Sequence, residues 1–236
     1  MHIDIDPAEL GRNYPLALGA VADLKPALAA LVRAAKKLAP AGVQRTEVLA
    51  DIQRNRAAFK ATCQEGASSD AWPMRPERIL ADVRAVLPRD AIITTDVGWN
   101  KNGLAQQMDI LTPGSVFTPG GFATMGFGAP AALGAKIACP DRVVVSLVGD
   151  GGFGQNPALL YTAREKGIAA IWVVMNNNAF GTIAGLEKAN YGTTYGTTFE
   201  VEGGDDMWID YSGIARAYGI KSKRVESAAD FATVLA

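Results

Sequence analysis

The stretch Val143–Gly181, VVVSLVGDGGFGQNPALLYTAREKGIAAIWVVMNNNAFG, constrains the fold of this chain more than any other. Val143–Val148 is a short, continuous run of mostly β-branched residues, the pattern of a parallel strand buried on both faces. Asn156-Pro157 reads as an N-cap followed by proline in the first helical turn, so a helix is expected to run to Lys166, with Gly167 ending it. Ile168–Met175 then reads as a second strand. A strand, a crossover helix and a strand make one βαβ unit, whose strands lie parallel. The crossover brings Asp150 and Asn177, 27 residues apart, to the carboxyl ends of the two strands. In an open α/β sheet that rim is where ligands bind.

The residue types at those two ends suit an anion carried by a hard cation. Gly149, Gly151 and Gly152 permit a tight turn and close approach of backbone N–H groups. The helix N-terminus beyond them favours phosphate. Asp150 offers one carboxylate and Asn177 one amide oxygen. Mg²⁺ commonly takes one or two protein carboxylates together with phosphate oxygens. The set describes a site for a magnesium-bridged diphosphate. Either motif alone reads more simply as a turn that closes a strand; the two together, at the ends of one βαβ unit, favour the ligand site.

Gly149-Asp150-Gly151, then 24 residues, then Asn176-Asn177 resembles the thiamine-diphosphate signature of the acetolactate synthase and benzoylformate decarboxylase superfamily. The likeness runs over nearly the whole chain. It implies a doubly wound, mainly parallel α/β sheet with helices on both faces, thiamine diphosphate and Mg²⁺ as cofactors, and a 2-oxo acid as substrate. It implies Mg²⁺ held by Asp150, Asn177 and the main-chain carbonyl of Ala179, with Gly151 and Gly152 against the phosphates. The cofactor-binding set extends to Gly149, Phe180, Gly181 and Thr182. Thr112–Gly128, TPGSVFTPGGFATMGFG, resembles the GGxGTMGxG segment of the same superfamily, with Ala123 in place of a glycine. The resemblance makes Met125 the wedge that bends the cofactor into its reactive shape, and the Ala123 carbonyl an acceptor for its aminopyrimidine. Trp99 and Asn100 fall on the Gln and His of a GVGQH turn that lines the diphosphate; Asn100 can still donate a hydrogen bond, whereas Trp99 reads equally as a packing residue.

In chain order, MHIDIDP and an amphipathic helix from Asp23 to Lys37 resemble the last strand and helix of the superfamily's central domain, which assigns residues 1–40 to a remnant of it. Residues 41–74 read as a linker, helical over Thr46–Lys60 and turn-rich over Ser68–Pro76; its Arg45, Arg54 and Arg56 suit a solvated helix face. Residues 75–236 are the diphosphate-binding domain, with a helix at Pro76–Val86, a strand at Ala91–Thr95 and a helix at Ala129–Ala138. Phe180, Thr182, Ile183 and Leu186 are expected on the substrate side, with Leu186 where acetolactate synthases carry Trp. Asn190–Phe199 is either a mobile lid or a surface loop. A helix at Tyr211–Tyr218, a strand at Ile220–Val225 and a helix from Ser227 complete the chain, which reads as cut short at both ends.

Composition excludes more than it proposes. Apolar residues at 49% and charged residues at 20% fit a globular core, and a net charge of −1 gives no basic footprint for nucleic acid. Cys63 and Cys139 have no CxxC spacing, and no apolar run reaches membrane-spanning length, so a cytoplasmic protein with reduced thiols and no membrane contact is expected. No GxGxxG follows a strand, which weakens a nicotinamide-binding reading. The resemblance leaves carboligase and decarboxylase both open, and it puts the complete site between subunits of a homodimer or homotetramer. The superfamily's catalytic glutamate belongs to a pyrimidine-binding domain that these residues do not include, so the chain is expected to need such a domain for turnover. A non-catalytic chain that binds cofactor or pairs with a separate pyrimidine-domain chain is the further alternative.

Overall fold

Strands β3 (Ile92–Thr95), β4 (Val116–Phe117), β5 (Val144–Gly149) and β6 (Ile171–Met175) form one parallel sheet in the order β4-β3-β5-β6. The computed structural model describes residues 1–236 and divides into two units, Met1–Ala57 and Ala58–Ala236. The sheet belongs to the second, and its register pairs Ile93 with Val145 and Leu147 with Val173.

Period-two alternation sends successive side chains of each strand to opposite faces. On one face Ile93, Val145 and Leu147 pack with Leu80 and Val83 of α3 (Pro76–Val86), Leu104 of α4 (Trp99–Gln107) and Phe231 of α10 (Ala228–Leu235). On the other, Val148 packs with Ala129 and Leu133 of α5 (Gly128–Ala138) and with Leu159, Leu160 and Ala163 of α7 (Leu159–Lys166). Ile214 of α9 (Tyr211–Ala217) joins that cluster from its margin. Helices therefore cover both faces of a parallel sheet, as the doubly wound expectation requires.

The α5 face carries polar groups, and each has a partner. Thr94 and Ser146, both fully buried, donate from Oγ to the Gly128 carbonyl at 2.7 and 2.9 Å. Trp172 donates its indole N–H to the Ala129 carbonyl at 3.1 Å. Three strands thus hold the first turn of α5, each net bond contributing about 0.5–1.5 kcal/mol. The close approach needs glycine, since a methyl group at Gly128 would lie 2.7 Å from the Thr95 carbonyl carbon and 2.9 Å from the Asp96 nitrogen.

Several local expectations differ from the structure. The Gly-rich segment after β5 is a one-turn helix, α6 (Asp150–Phe153), because neither Gly151 nor Gly152 has a positive φ. α7 begins at Leu159 rather than at Pro157; the Asn156 carbonyl instead accepts from the Leu159 N–H in a turn. The helix expected to end at Lys60 runs on, as α2 (Thr46–Ala67). Ile220–Val225 forms no strand, and no neighbouring strand pairs with it; Ile220 and Val225 instead pack against the two main clusters from their margins. Helices α4 and α8 (Gly181–Tyr191) arise where no helix is expected from the sequence.

The first unit holds a parallel pair, β1 (His2–Asp4) and β2 (Gly19–Val21), and α1 (Leu24–Leu38), whose N-cap Asp23 accepts from the Lys25 N–H. No residue in it is buried, and Leu24, Leu28 and Val32 of α1 are each about half exposed. The amphipathic helix is therefore present, with its apolar stripe about half exposed. No helix of the protein is long and apolar enough to cross a membrane.

Gly128→Ala separates helix propensity from packing. Propensity favours alanine by about 1 kcal/mol, whereas backbone overlap of this kind costs about 1–3 kcal/mol or more. We expect the overlap to dominate, with a thermal midpoint lower by roughly 4–8 °C, measurable by differential scanning calorimetry.

Candidate functional site

Each of the three long parallel strands runs directly into a helix at the same rim of the sheet. α4 follows β3, α6 follows β5 and α8 follows β6, and their N-caps are Gly98, Gly149 and Phe180. None of the three caps makes a side-chain hydrogen bond to its helix. The leading N–H groups of a helix have no intrahelical acceptor and carry its positive dipole end. A rim built this way favours an anion.

Asp150 stands at the centre, 2% exposed. Its Oδ1 accepts from the Gly151 N–H at 2.9 Å, while its Oδ2 is sealed from solvent with no hydrogen-bond partner. Burial pushes the carboxyl pKa up, against the opposing pull of the Gly151, Asn178 and Ala179 N–H groups. The Asn177 amide lies beside it: turned with its nitrogen inward, it donates to Asp150 Oδ1 at 3.2 Å and to the Ala179 carbonyl at 3.0 Å. Turned by 180°, the same amide presents its oxygen to those two oxygens, an arrangement only a cation between them would stabilise. Gly181 leaves room for this amide, since a methyl group there would meet it at 2.5 Å.

Asn178 makes that juxtaposition possible. Its φ of 56° lies in the left-handed region, which asparagine tolerates better than other non-glycine residues. The turn directs the Asn177 side chain and the Ala179 carbonyl to one point. Asn178 is buried, and its Nδ2 donates to the Phe199 carbonyl at 2.7 Å and to Asp206 Oδ1 at 3.3 Å. The Phe199 N–H returns a bond to the Asn178 carbonyl at 2.9 Å. Further along, Glu187 accepts from the Thr197 hydroxyl at 2.6 Å and the Tyr195 N–H at 3.0 Å, which hold its carboxyl below the usual range. The segment read as lid or loop is therefore tied down from Tyr195 to Phe199.

Other expected site residues take roles of their own. The Phe180 ring does not face outward: it lies over Gly151, where a methyl group would meet it at 2.6 Å, and edge-on to Phe199 with centroids 4.8 Å apart. Gly152 owes its size to Asp96, whose carboxyl carbon would be 2.9 Å from an added methyl. Asn100 uses its NH₂ inside the protein, donating to Thr95 Oγ1, the Asp96 carbonyl and the Leu147 carbonyl at 2.9–3.2 Å. It joins the ends of β3 and β5, so the donor expected to reach a diphosphate is already engaged. Trp99 takes the packing alternative, folding over Gly103 and against the α3–α4 core. Thr182 lies near Gly98, its hydroxyl 3.7 Å from the position of an added methyl. Ile183 and Leu186 are exposed on α8.

Ala123 and Met125 sit in the loop before α5. Ala123 has a φ of 53°, so it holds the left-handed conformation for which the expected pattern carries glycine, at about 1–2 kcal/mol. Asp96 was not singled out by sequence. It is fully buried at the end of β3 and accepts from the N–H groups of Val97 at 2.8 Å, Gly126 at 3.2 Å and Gly128 at 2.8 Å. A carboxylate closing an apolar strand, AIITTD, was the available signal; for Asn178 it was a third asparagine following Asn176-Asn177.

Known proteins share this arrangement of sequence and fold. The family described as thiamine pyrophosphate enzyme, C-terminal TPP binding domain, matches residues 96–236. The probable acetolactate synthase large subunit of Methanocaldococcus jannaschii is 34% identical over 237 residues, covering 96% of this chain and 38% of its own length. Benzoylformate decarboxylase of Pseudomonas aeruginosa is 28% identical over 228 residues, again with 38% of its length covered. A solved structure of the thiamine diphosphate-dependent 4-hydroxybenzoylformate decarboxylase of Rhodococcus jostii matches with a TM-score of 0.58 at 33% identity, over 67% of this chain and 29% of that one. The chain thus spans well under half the length of these relatives. With the matched segment running from the end of β3 through every element of the rim, the chain belongs to the thiamine pyrophosphate enzymes, as a carrier of their C-terminal cofactor-binding domain.

Proposed function

We propose that this chain supplies the diphosphate- and Mg²⁺-binding part of an enzyme that acts on a 2-oxo acid as a carboligase of the acetolactate synthase type. One observation carries the metal reading: the Asn177 amide lies against both an Asp150 carboxylate oxygen and the Ala179 carbonyl, and the second oxygen of that carboxylate is buried without a partner. The Asp150 carboxylate, the Asn177 amide oxygen and the Ala179 carbonyl would hold Mg²⁺, leaving the rest of its shell to phosphate oxygens and water. The uncapped N-termini of α4 and α8 would face the same diphosphate. At the other end, the Ala123 carbonyl and Met125 would meet the cofactor's rings.

Bound thiamine diphosphate supplies the electron sink that lets a 2-oxo acid part with CO₂. This chain's residues would do the rest on their side of the site: Asp150, Asn177 and Ala179 would hold the Mg²⁺ that neutralises the charged tail, and Ala123 and Met125 would hold the rings. By the resemblance, protonation of the pyrimidine would fall to a glutamate of a pyrimidine-binding domain that is not among these residues. The coreless first unit fits the end of a preceding domain, consistent with 1–40 as a remnant and 41–74 as a linker. The working enzyme would then be a homodimer or homotetramer of a longer chain, or a complex of this chain with a pyrimidine-domain chain.

A decarboxylase is the second reading. It rests on Leu186, an exposed aliphatic residue where the synthase pattern has Trp, and on the likeness to a hydroxybenzoylformate decarboxylase. Combining this chain with a separately produced pyrimidine-domain chain, then supplying pyruvate with and without an acceptor aldehyde, separates the readings. A carbon–carbon coupled product is expected; aldehyde as sole product would favour the decarboxylase, and no turnover in any combination would favour a non-catalytic chain.

The metal reading predicts a thermal signature in the chain alone. Mg²⁺ with thiamine diphosphate at about 100 times the dissociation constant should stabilise it by about 2.7 kcal/mol. That corresponds to roughly 5–10 °C in a thermal shift assay, and Asp150→Asn should abolish the shift. The same variant should raise the midpoint of the metal-free chain, since it removes a buried charge that burial disfavours.

The pH dependence follows in sign. The folded pKa of Asp150 lies above its unfolded value, so its contribution to the metal-free chain is fully present below the unfolded pKa and is lost as pH rises through the folded one. Mg²⁺ needs the carboxylate, so the metal-dependent shift should be largest at neutral pH and shrink on acidification through that same raised pKa. Thermal scans from neutral to weakly acidic pH, with and without Mg²⁺, check both trends.

A further inference from the structure

We propose that Asp96 is the positioning residue that sets the loop bearing Ala123 and Met125 relative to the diphosphate rim. The inference deepens the cofactor reading above and rests on it. Asp96 is fully buried at the carboxyl end of β3, yet it touches neither the metal point nor open solvent. Its Oδ1 accepts from the Val97 and Gly126 N–H groups and its Oδ2 from the Gly128 N–H. Both oxygens are therefore engaged by backbone, two of the three donors belonging to the loop that ends in α5.

The carboxylate also meets the diphosphate side. Gly152, two residues after Asp150, packs so closely on it that an added methyl would lie 2.9 Å from its carboxyl carbon and 3.2 Å from each oxygen. One rigid group thus spans the interval between the Asp150 turn and the Met125 loop. A cofactor held by its diphosphate at one end and its rings at the other needs that interval fixed. Charge-assisted bonds to backbone N–H groups are roughly twice as strong as neutral ones, which suits a loop whose Ala123 carries left-handed strain. Asparagine at 96 would keep the shape, but its NH₂ would confront an N–H where an oxygen now accepts.

The test compares wild type with Asp96→Asn, and with Asp96→Ala where that variant folds. Calorimetry measures binding of Mg²⁺-pyrophosphate and of Mg²⁺-thiamine diphosphate, and amide hydrogen exchange is followed at Gly126 and Gly128. Wild type should bind thiamine diphosphate more tightly than pyrophosphate. In the variants that preference should shrink by about tenfold while pyrophosphate affinity holds, the size expected for one lost charge-assisted bond. The Gly126 and Gly128 amides should exchange at least about tenfold faster, with Val145 and Leu147 of β5 unchanged. Equal loss of both affinities, or unaltered exchange at the two glycines, would overturn the proposal. So would a wild type that binds pyrophosphate with Mg²⁺ but shows no preference for thiamine diphosphate. A wild type that binds neither ligand would instead remove the metal-site reading, and the exchange rates would still decide whether Asp96 holds the loop.

Discussion

A carboxylate oxygen sealed from water without a donor is a standing cost to a folded chain, and Asp150 carries one. Its neighbours reduce the cost without cancelling it, for Gly151, Asn178 and Ala179 offer N–H groups and burial still dominates. Hydrophobic packing on both faces of the sheet is what allows the cost to persist. Val148 and Leu147 are fully buried just before the turn, and they fix where the strand must end. The strand end fixes Asp150, and β6, paired with β5 up to Met175, brings Asn177 alongside.

Backbone strain occurs at two non-glycine positions, Ala123, two residues before Met125, and Asn178, between Asn177 and Ala179. Each lies where surrounding structure over-determines the conformation. Asn178 is fixed by its bonds to Phe199 and Asp206, and the Ala123 loop by the bonds that Asp96 makes to Gly126 and Gly128. Strain of about 1–3 kcal/mol at a single residue survives only with such support. The segment from Tyr195 to Asp206 is thus part of the site's scaffolding, although none of its side chains would be needed at the proposed metal point.

The strands β3, β5 and β6 and the juxtaposition of Asp150 with Asn177 were legible in the sequence because the pattern of each segment is local. A β-branched run bounded by Gly-Asp can hardly be other than a buried strand and its turn, and the 27-residue separation places both turns at one rim. What escaped notice depends on contacts distant in sequence. Gly151 and Gly152 invite a loop by composition, yet they are helical, and they are glycines because Phe180 and the Asp96 carboxylate occupy the space that side chains would need. Asn100 looked available as a donor; only the folded chain shows the ends of β3 and β5 competing for it. Ile220–Val225 has the residues of a strand, but a strand also requires a partner, and pairing is not written in one segment.

The sparseness of the site's charge also has a consequence. No three residues among His, Cys, Asp and Glu gather anywhere in the chain, so the metal point holds one carboxylate with a neutral amide and a neutral carbonyl. A divalent cation there would keep a net positive charge and open coordination positions. A second carboxylate would bind the ion more tightly alone, but it would repel a diphosphate at close range, by about 1 kcal/mol even in water and more where solvent is excluded. One carboxylate instead makes the cation and the anion each depend on the other. The helix N-termini at the same rim act in the same direction, attracting phosphate without contributing charge that competes for the metal. On the proposed reading, the site would favour a metal and a diphosphate that arrive together, a property of which residues are absent from the rim as much as of which are present.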